Sequence, residues 1–329
     1  MKLLILSAQE VVRALPMAEA IEGMKIAFAQ LSTGKTSVPL RNHVDIPAHE
    51  GIMLAMPAYL HETGELAVKL VSVFPQNPQH GLPVINGVVL ALDVMTGLPL
   101  ALMDGATVTA IRTGAASGAA TDLLARPEAR TVAIFGSGVQ ARTQLEAVCT
   151  VRNIEQVWVY SPNPAHGQQL AAEMAGRGRI PSHITVATTP AQAVRQADII
   201  CTATSSAVPV FAGADVRPGT HINAVGTFRT TMREVDTETI RRALVVVDEL
   251  TSMWAEAGDL VIPLEAGEIE ASHIYAELGE IAAGQKVGRT SLEQVTLFKS
   301  VGNAVQDAMS TGIVLRNAAA NQLGTYVNL

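Results

Sequence analysis

The sequence predicts a two-part α/β chain, in which a doubly wound parallel sheet is joined to a smaller α+β part built on an antiparallel sheet. Three observations carry this expectation. From Thr131 onward, short apolar strands alternate with helical segments, the rhythm of parallel βαβ units. Residues 38 to 104 instead hold β-rich segments separated by Pro, Gly and Asn with no helix between them, which reads as an antiparallel sheet. A length of 329 residues also exceeds what one hydrophobic core commonly fills.

Ser7-Ala-Gln-Glu10 is a capping box, in which hydroxyl and carboxylate satisfy free backbone donors, so a short helix starts there. Pro16 suits the first turn of a second helix, PMAEAIEGMKIAFAQLSTG, whose apolar residues recur at helical spacing and whose Gly34 suits its end. LAVKLVSVF, VINGVVLALDV and LPLALMD are strands, and DVMTG is a tight turn between the last two. The following run, ATVTAIRTGAASGAATDLLA, is so rich in small residues that it predicts a helix packed closely against other backbone, suited to a hinge between two layers. TVAIFG, VWVY, HITVAT, DIICTAT, HINAVG and LVVVD are the strands of the second part, with helices to about Val151, around 165 to 176 and around 190 to 197. The last segment, SLEQVTLFKSVGNAVQDAMSTGIVLRNAAANQL, reads as helical and as crossing back to the first part.

Composition narrows the function. Apolar residues make up 48% and charged ones 16%, and 23 basic against 30 acidic side chains give a formal charge of −7, which argues against nucleic-acid binding. So sparse a polar cover hints that some surface is buried between subunits. Cys149 and Cys201 supply neither a disulfide framework nor a zinc cluster and fit a reduced cytoplasmic compartment; no metal site is expected. The apolar start of MKLLIL is too short for a signal sequence or a membrane span.

Gly136-Ser137-Gly138-Val139-Gln140-Ala141 follows the strand TVAIF and opens a helix, giving GxGxxA in the context a Rossmann-type dinucleotide fold requires. The glycines permit a sharp turn and close approach to a pyrophosphate, and the helix start supplies free N–H groups. A glycine turn of purely structural use is the competing reading, and the strand, helix and βαβ rhythm around it weigh against that. The second strand ends at Tyr160 and leads into Ser161-Pro-Asn163, where an NAD-specific fold places an acidic residue. Uncharged Ser161 and Asn163 tolerate a 2′-phosphate, which tilts the expectation to NADPH over NADH, with use of both as the competing reading. Thr204, in TATSS, and Val225, Gly226 and Thr227, in AVGT, end strands on the nicotinamide side of such a crevice, although each alone reads equally as a strand terminus.

Three cations stand in apolar surroundings: Arg41 in SVPLRNHV, Lys69 in LAVKLVSV and Arg112 in TVTAIRTGAAS. Val68, Leu70, Val71 and Val73 surround Lys69, so both faces of its strand are expected to be buried and its charge to need an anionic partner. Any one of them reads as a snorkelling or salt-bridged residue, Arg41 above all. Together they point to a pocket for an anionic substrate. Arginine forks suit a small carboxylate, and a partly desolvated lysine suits proton exchange with a substrate nitrogen.

MPAY at 56 to 59, KLV at 69 to 71, DVMTGLPLALMDG with TAIRTGAAS, GSGVQA, INAVG and KSVGNAVQD together resemble the ornithine cyclodeaminase/mu-crystallin family over essentially the whole chain. The resemblance implies a homodimer whose substrate-binding and dimerisation domain, residues 1–112 with 303–329, accompanies a Rossmann dinucleotide-binding domain, 113–302. It implies that Arg41, Lys69 and Arg112 contact a substrate carboxylate and that Val301 and Gly302 border the nicotinamide. Arg112 and Thr113 are expected to face both ligands, because their helix follows the substrate sheet and leads directly into the nucleotide domain. Asp307 could orient a neighbour from the same helix, and a structural cap or salt bridge is favoured over catalysis.

Cyclodeaminases of the family carry an acid two positions after the strand-end glycine and another just before the Met-Pro pair; this chain has Phe228 and the apolar IMLAMPAY there. It therefore resembles the ketimine-reductase members. The activity implied is NAD(P)H-dependent reduction of Δ1-pyrroline-2-carboxylate or its six-membered homologue to L-proline or L-pipecolate, with Lys69 exchanging the proton. Ornithine cyclodeamination, alanine-type dehydrogenation and non-catalytic ligand binding are the alternatives.

Overall fold

Strand β1 (Lys2–Leu6) passes through the Ser7 cap into helix α1 (Ala8–Ala14), and helix α2 (Met17–Ser32) starts directly after Pro16. The computed structural model describes residues 2–39 and 42–329. Ser7 donates from backbone N and Oγ to Glu10 Oε2, at 2.8 and 2.6 Å, and the chain leaves α2 through Gly34 at a φ of 71°, a conformation glycine adopts without strain. Strands β2 (Thr36–Ser37), β3 (Asn42–Ile46), β4 (Gly51–Leu60), β5 (Leu66–Val73), β6 (Ile85–Leu92) and β7 (Pro99–Asp104) follow. Helix α3 (Gly105–Leu124) leads into β8 (Thr131–Phe135), α4 (Val139–Val151), β9 (Gln156–Tyr160), α5 (Pro164–Met174) and β10 (Ile184–Val186). Then come α6 (Pro190–Val194), β11 (Ile199–Thr202), β12 (His221–Ala224), α7 (Thr237–Arg242) and β13 (Ala243–Val247). The chain closes with α8 (Leu250–Glu256), α9 (Gly258–Glu265), β14 (Ile274–Glu277), α10 (Leu278–Ala282), β15 (Val295–Lys299), α11 (Ala304–Ala320) and β16 (Thr325–Asn328).

Two units result, Met1–Arg112 with Ala304–Leu329 and Thr113–Asn303. The first contains a sheet of order β16-β1-β7-β6-β5-β4-β2, with β3 also on β4. Its pairs are antiparallel except β1 on β7, so KLLIL is a sheet strand, and the TYVN segment pairs beside it. Helix α11 packs on β4, β5 and β6 and against α1 and α2. Close packing requires glycine there: a Cβ on Gly23 of α2 would lie 2.7 Å from Ile313 Cδ1 of α11.

The second unit is a wholly parallel sheet of order β10-β9-β8-β11-β12-β15-β13-β14. Ala133 and Phe135 of β8 enter one apolar cluster with Ile200, Ile222 and Leu297, while Val132 and Ile134 enter another with Val157, Val159 and Ile199. Both faces of the sheet are therefore covered, as in a doubly wound fold.

Two expectations change. VTLFK is not helical: it is β15, a fully buried strand between β12 and β13, and helix begins only at Ala304. A strand buried on both faces lacks the polar alternation that would separate it from an adjoining helix. The β5 strand is not buried on both sides either, since Lys69 is 2% exposed whereas Leu70 is 42% exposed.

His221 opens β12 fully buried, its Nδ1 2.9 Å from Thr296 Oγ1 and its Nε2 3.2 Å from Asn223 Oδ1. Burial pushes its pKa down to about 3, and the nearby Arg289 adds to this. Below its ordinary pKa the unfolded chain binds a proton that the folded chain refuses, so stability is lost as pH falls from about 6.5 toward about 3. The slope is at most about 1.4 kcal/mol per pH unit. In acid-titrated urea unfolding, His221→Gln should flatten that slope; an unaltered slope would assign the acid sensitivity elsewhere.

Candidate active site

In the first unit, β5, α3 and α11 bring Lys69, Arg112 and Asp307 together. Asp307 Oδ2 lies 2.7 Å from Lys69 Nζ, and Oδ1 accepts from Arg112 Nε at 3.1 Å. Gln306 Oε1 accepts from Arg112 Nη1 at 2.8 Å. All three charged side chains are at least 94% shielded, so each charge depends on its neighbours rather than on water. The inward register of β5 explains Lys69: its paired residues Met56 and Val89 are also buried, 4% and 0% exposed. Removing one member of such a cluster costs roughly 3 to 5 kcal/mol, because the others stay charged and buried. Arg41 lies outside the described residues.

In the second unit the glycine turn links β8 to α4. Gly136 has a φ of 109°, and a Cβ there would collide with the Ala203 carbonyl. Beside Gly138 a Cβ would meet no atom within 4 Å, and this residue caps α4 with no side-chain hydrogen bond to the first-turn amides. Open space and uncapped donors at the start of a 13-residue helix fit a dinucleotide pyrophosphate. Val139 is 65% exposed at this turn, and Gln140 follows it in the first turn of α4. Arg142 braces the turn by donating from Nη1 to the carbonyls of Ser137 and Gly138, at 2.6 and 2.9 Å, while pairing with Glu173.

At the end of β9, Ser161 is buried with its Oγ 3.4 Å from Ser137 Oγ. Asn163 accepts from Ala165 N and so caps α5. Thr113 accepts from Gln144 Nε2 through its carbonyl.

Beneath the other strand ends lie buried carboxylates that sequence reasoning missed. Glu234 Oε1 accepts from Thr204 N and Oγ1 at 2.6 and 2.7 Å, and Oε2 accepts from Gly226 N and Thr202 Oγ1 at 2.7 and 2.9 Å. A Cβ on Gly226 would run into Thr204 backbone, so glycine lets the two strand ends share one acid. Asp259 accepts from Thr227 Oγ1 and from the backbone N of Glu234 and Val235, and pairs with buried Lys299 at 2.8 Å. Asp248 Oδ2 gathers Ser300 Oγ and the backbone N of Val301 and Gly302. The Thr204 and Thr227 hydroxyls are thus committed internally.

Burial raises the Glu234 and Asp248 carboxyls. It works the same way on Asp259, but Lys299 and the hydrogen bonds outweigh it and hold that acid below its ordinary range. Lys299 carried the same signal as Lys69, a cation in an apolar strand, in LFKS.

A doubly wound sheet with an open glycine turn at a helix start, in a chain whose other unit holds two buried cations, fits a dinucleotide-dependent oxidoreductase. The profile of the ornithine cyclodeaminase/mu-crystallin family matches residues 1–322, and the chain belongs to that family. It is 38% identical over 326 residues to the Delta(1)-pyrroline-2-carboxylate reductase of Bacillus cereus, covering 99% of each chain. The solved structure of Thermococcus litoralis Delta(1)-pyrroline-2-carboxylate reductase in complex with NADH and L-proline matches with a TM-score of 0.94 at 44% identity, over 99% of this chain and 100% of that one. An archaeal alanine dehydrogenase dimer with bound NAD gives 0.92 at 33% identity over 100% of both chains.

Replacing Glu234 with Gln turns an amide N–H2 toward one pair of donors that the carboxylate now accepts. Leaving such buried donors unmatched costs about 1 to 3 kcal/mol, which lowers the melting temperature by roughly 2 to 4 °C per kcal/mol for a unit of this size. Calorimetry alongside a fluorescence titration with NADH should register both this loss and weaker dinucleotide binding; full retention of both would show the acid to be dispensable.

Proposed function

We propose that the chain reduces a cyclic ketimine acid, Δ1-pyrroline-2-carboxylate or Δ1-piperideine-2-carboxylate, to L-proline or L-pipecolate with NADH or NADPH. The observation that carries this reading is the buried Lys69–Asp307–Arg112 cluster, in a chain 44% identical to a reductase solved with NADH and L-proline. Arg112 is the fork for the substrate carboxylate, with Arg41 as a second contact. Lys69 is the proton donor at the ring nitrogen, directly or through water. Ser137 to Gln140 hold the pyrophosphate at the α4 start, Ser161 and Asn163 lie on the ribose side, and the strand ends at Thr204, Val225 to Thr227 and Val301–Gly302 carry the nicotinamide, with Thr113 beside Arg112.

The bound nicotinamide supplies the hydride that reduces the C=N carbon. The protein's part is to fix that carbon, shield it from water and provide one proton. Uncharged Ser161 and Asn163 accommodate NADPH as well as NADH.

No helix among the described residues is long and apolar enough to cross a membrane. Burial pushes the Cys149 and Cys201 thiols up to about 12, so neither is a reactive thiolate; two free cysteines and no disulfide are what a cytoplasmic enzyme of this reading would carry. The outward face of the first sheet is apolar, with Leu70 and its paired Val88 exposed, and with Leu100 of β7 exposed on the same side. That face is the homodimer interface of this reading, because so much exposed apolar surface needs cover; the alanine dehydrogenase neighbour is itself a dimer.

The test follows NAD(P)H absorbance with both ring sizes and both coenzymes. Pyruvate with ammonia forms a parallel arm, because an alanine dehydrogenase is among the matching structures. Imine-dependent oxidation is expected, and consumption with pyruvate and ammonia alone would replace the proposal with amino-acid dehydrogenation. Lys69→Met should keep dinucleotide affinity and lower turnover by roughly 10² to 10⁴-fold; undiminished turnover would remove Lys69 from the proton path. Leu70→Asp should halve the mass seen by light scattering, whereas an unchanged dimer would move the interface to another face.

A further inference from the structure

Asp307 is the group that two of the proposed substrate-binding cations, Lys69 and Arg112, share, and it is not one of the residues assigned above to a ligand. We infer that Asp307 is a positioning residue of the reduction: it locks Lys69 and Arg112 into one arrangement and cancels one of their two charges, so that a carboxylate is held firmly enough to react and loosely enough to leave. This rests on the substrate reading proposed above.

Three features support the role. Each carboxylate oxygen is used for a different cation, 2.7 Å to Lys69 Nζ and 3.1 Å to Arg112 Nε, so their separation is set by one rigid planar group. Asp307 is the fourth residue of the 17-residue helix α11, within the first turn, where the helix dipole favours a negative charge. Arg112 gives Nε and Nη1 to α11, while its Nη2 makes no hydrogen bond among the described residues, leaving a donor for an incoming acid.

Charge counting gives the functional consequence. Asp307 places one negative charge between the Lys69 and Arg112 cations and so lowers the positive charge that an incoming carboxylate meets by one. Without the Asp307 charge the site would be more positive by one, and an acid would bind more tightly. The Lys69 ammonium would also lose the contact that aims it, so proton transfer would slow.

Asp307→Asn separates this from ordinary structural support, because affinity and turnover should move in opposite senses. L-Proline, titrated by inhibition and by thermal shift, should bind roughly three- to tenfold more tightly, while imine turnover falls at least about tenfold. Weaker L-proline binding together with lost turnover would overturn the inference. If the single variant is too unstable to assay, Lys69→Met with Asp307→Asn removes one charge of each sign. When Asp307 acts through Lys69, the double variant should turn over within about twofold of Lys69→Met alone, and a full additional loss would refute that route. Wild-type turnover of the imine tests the substrate reading separately. A wild type that reduces no imine but whose Asp307→Asn form still binds L-proline more tightly would sink that reading and keep the counter-charge.

Discussion

A cation buried in a β-sheet must be matched by an anion, and in this protein the match arrives from the far end of the chain. Lys69 is fixed inward by the register of β5, and Arg112 sits in a helix rich in Gly and Ala. Their shared carboxylate belongs to α11, nearly two hundred positions beyond Arg112. The return of α11 is thus an electrostatic requirement as much as an apolar one. Glycines at 23 and 312 allow its close packing, against Ile313 in the one case and Glu65 in the other.

The second unit solves a related problem with the signs reversed. Parallel strands end in amide groups that need acceptors, and Glu234, Asp259 and Asp248 provide them from below. Carboxylates accept several hydrogen bonds at once, so one acid can hold two strand ends in register with a rigidity a loop alone would not have. Lys299 keeps Asp259 ionised without water. Desolvated charge organises both units, as the scaffold of a hydride-transfer enzyme requires.

Much of this was legible in the sequence wherever a local pattern had a single physical reading. The strand, GxGxxA turn and helix at 131–151 were such a case, because only glycine tolerates the backbone at 136. Lys69 was legible because a charge amid Val and Leu is costly, and Arg112 because it is the one cation in a helix of mostly small residues, although the sequence suggested a substrate as the counter-charge and the structure supplies Asp307. The rest depended on distant pairing. The segments at 2–6, 295–299 and 325–328 are strands only because a neighbouring strand is there to receive them. Glu234 and Asp248 look like ordinary surface acids in RTTMREV and VVVDEL, and their burial follows from packing no local pattern encodes. Leu70 faces outward because α11 covers one side of the sheet alone.

The first unit is discontinuous in the chain, and this has a consequence for synthesis. When the ribosome has made the first 112 residues, the sheet has neither α11 over its inner face nor the carboxylate for its two basic groups. The second unit is continuous and can fold as it emerges, so nascent protein should spend a period with one half finished and the other awaiting its last two elements. Truncation near the C-terminus would therefore damage the N-terminal half first.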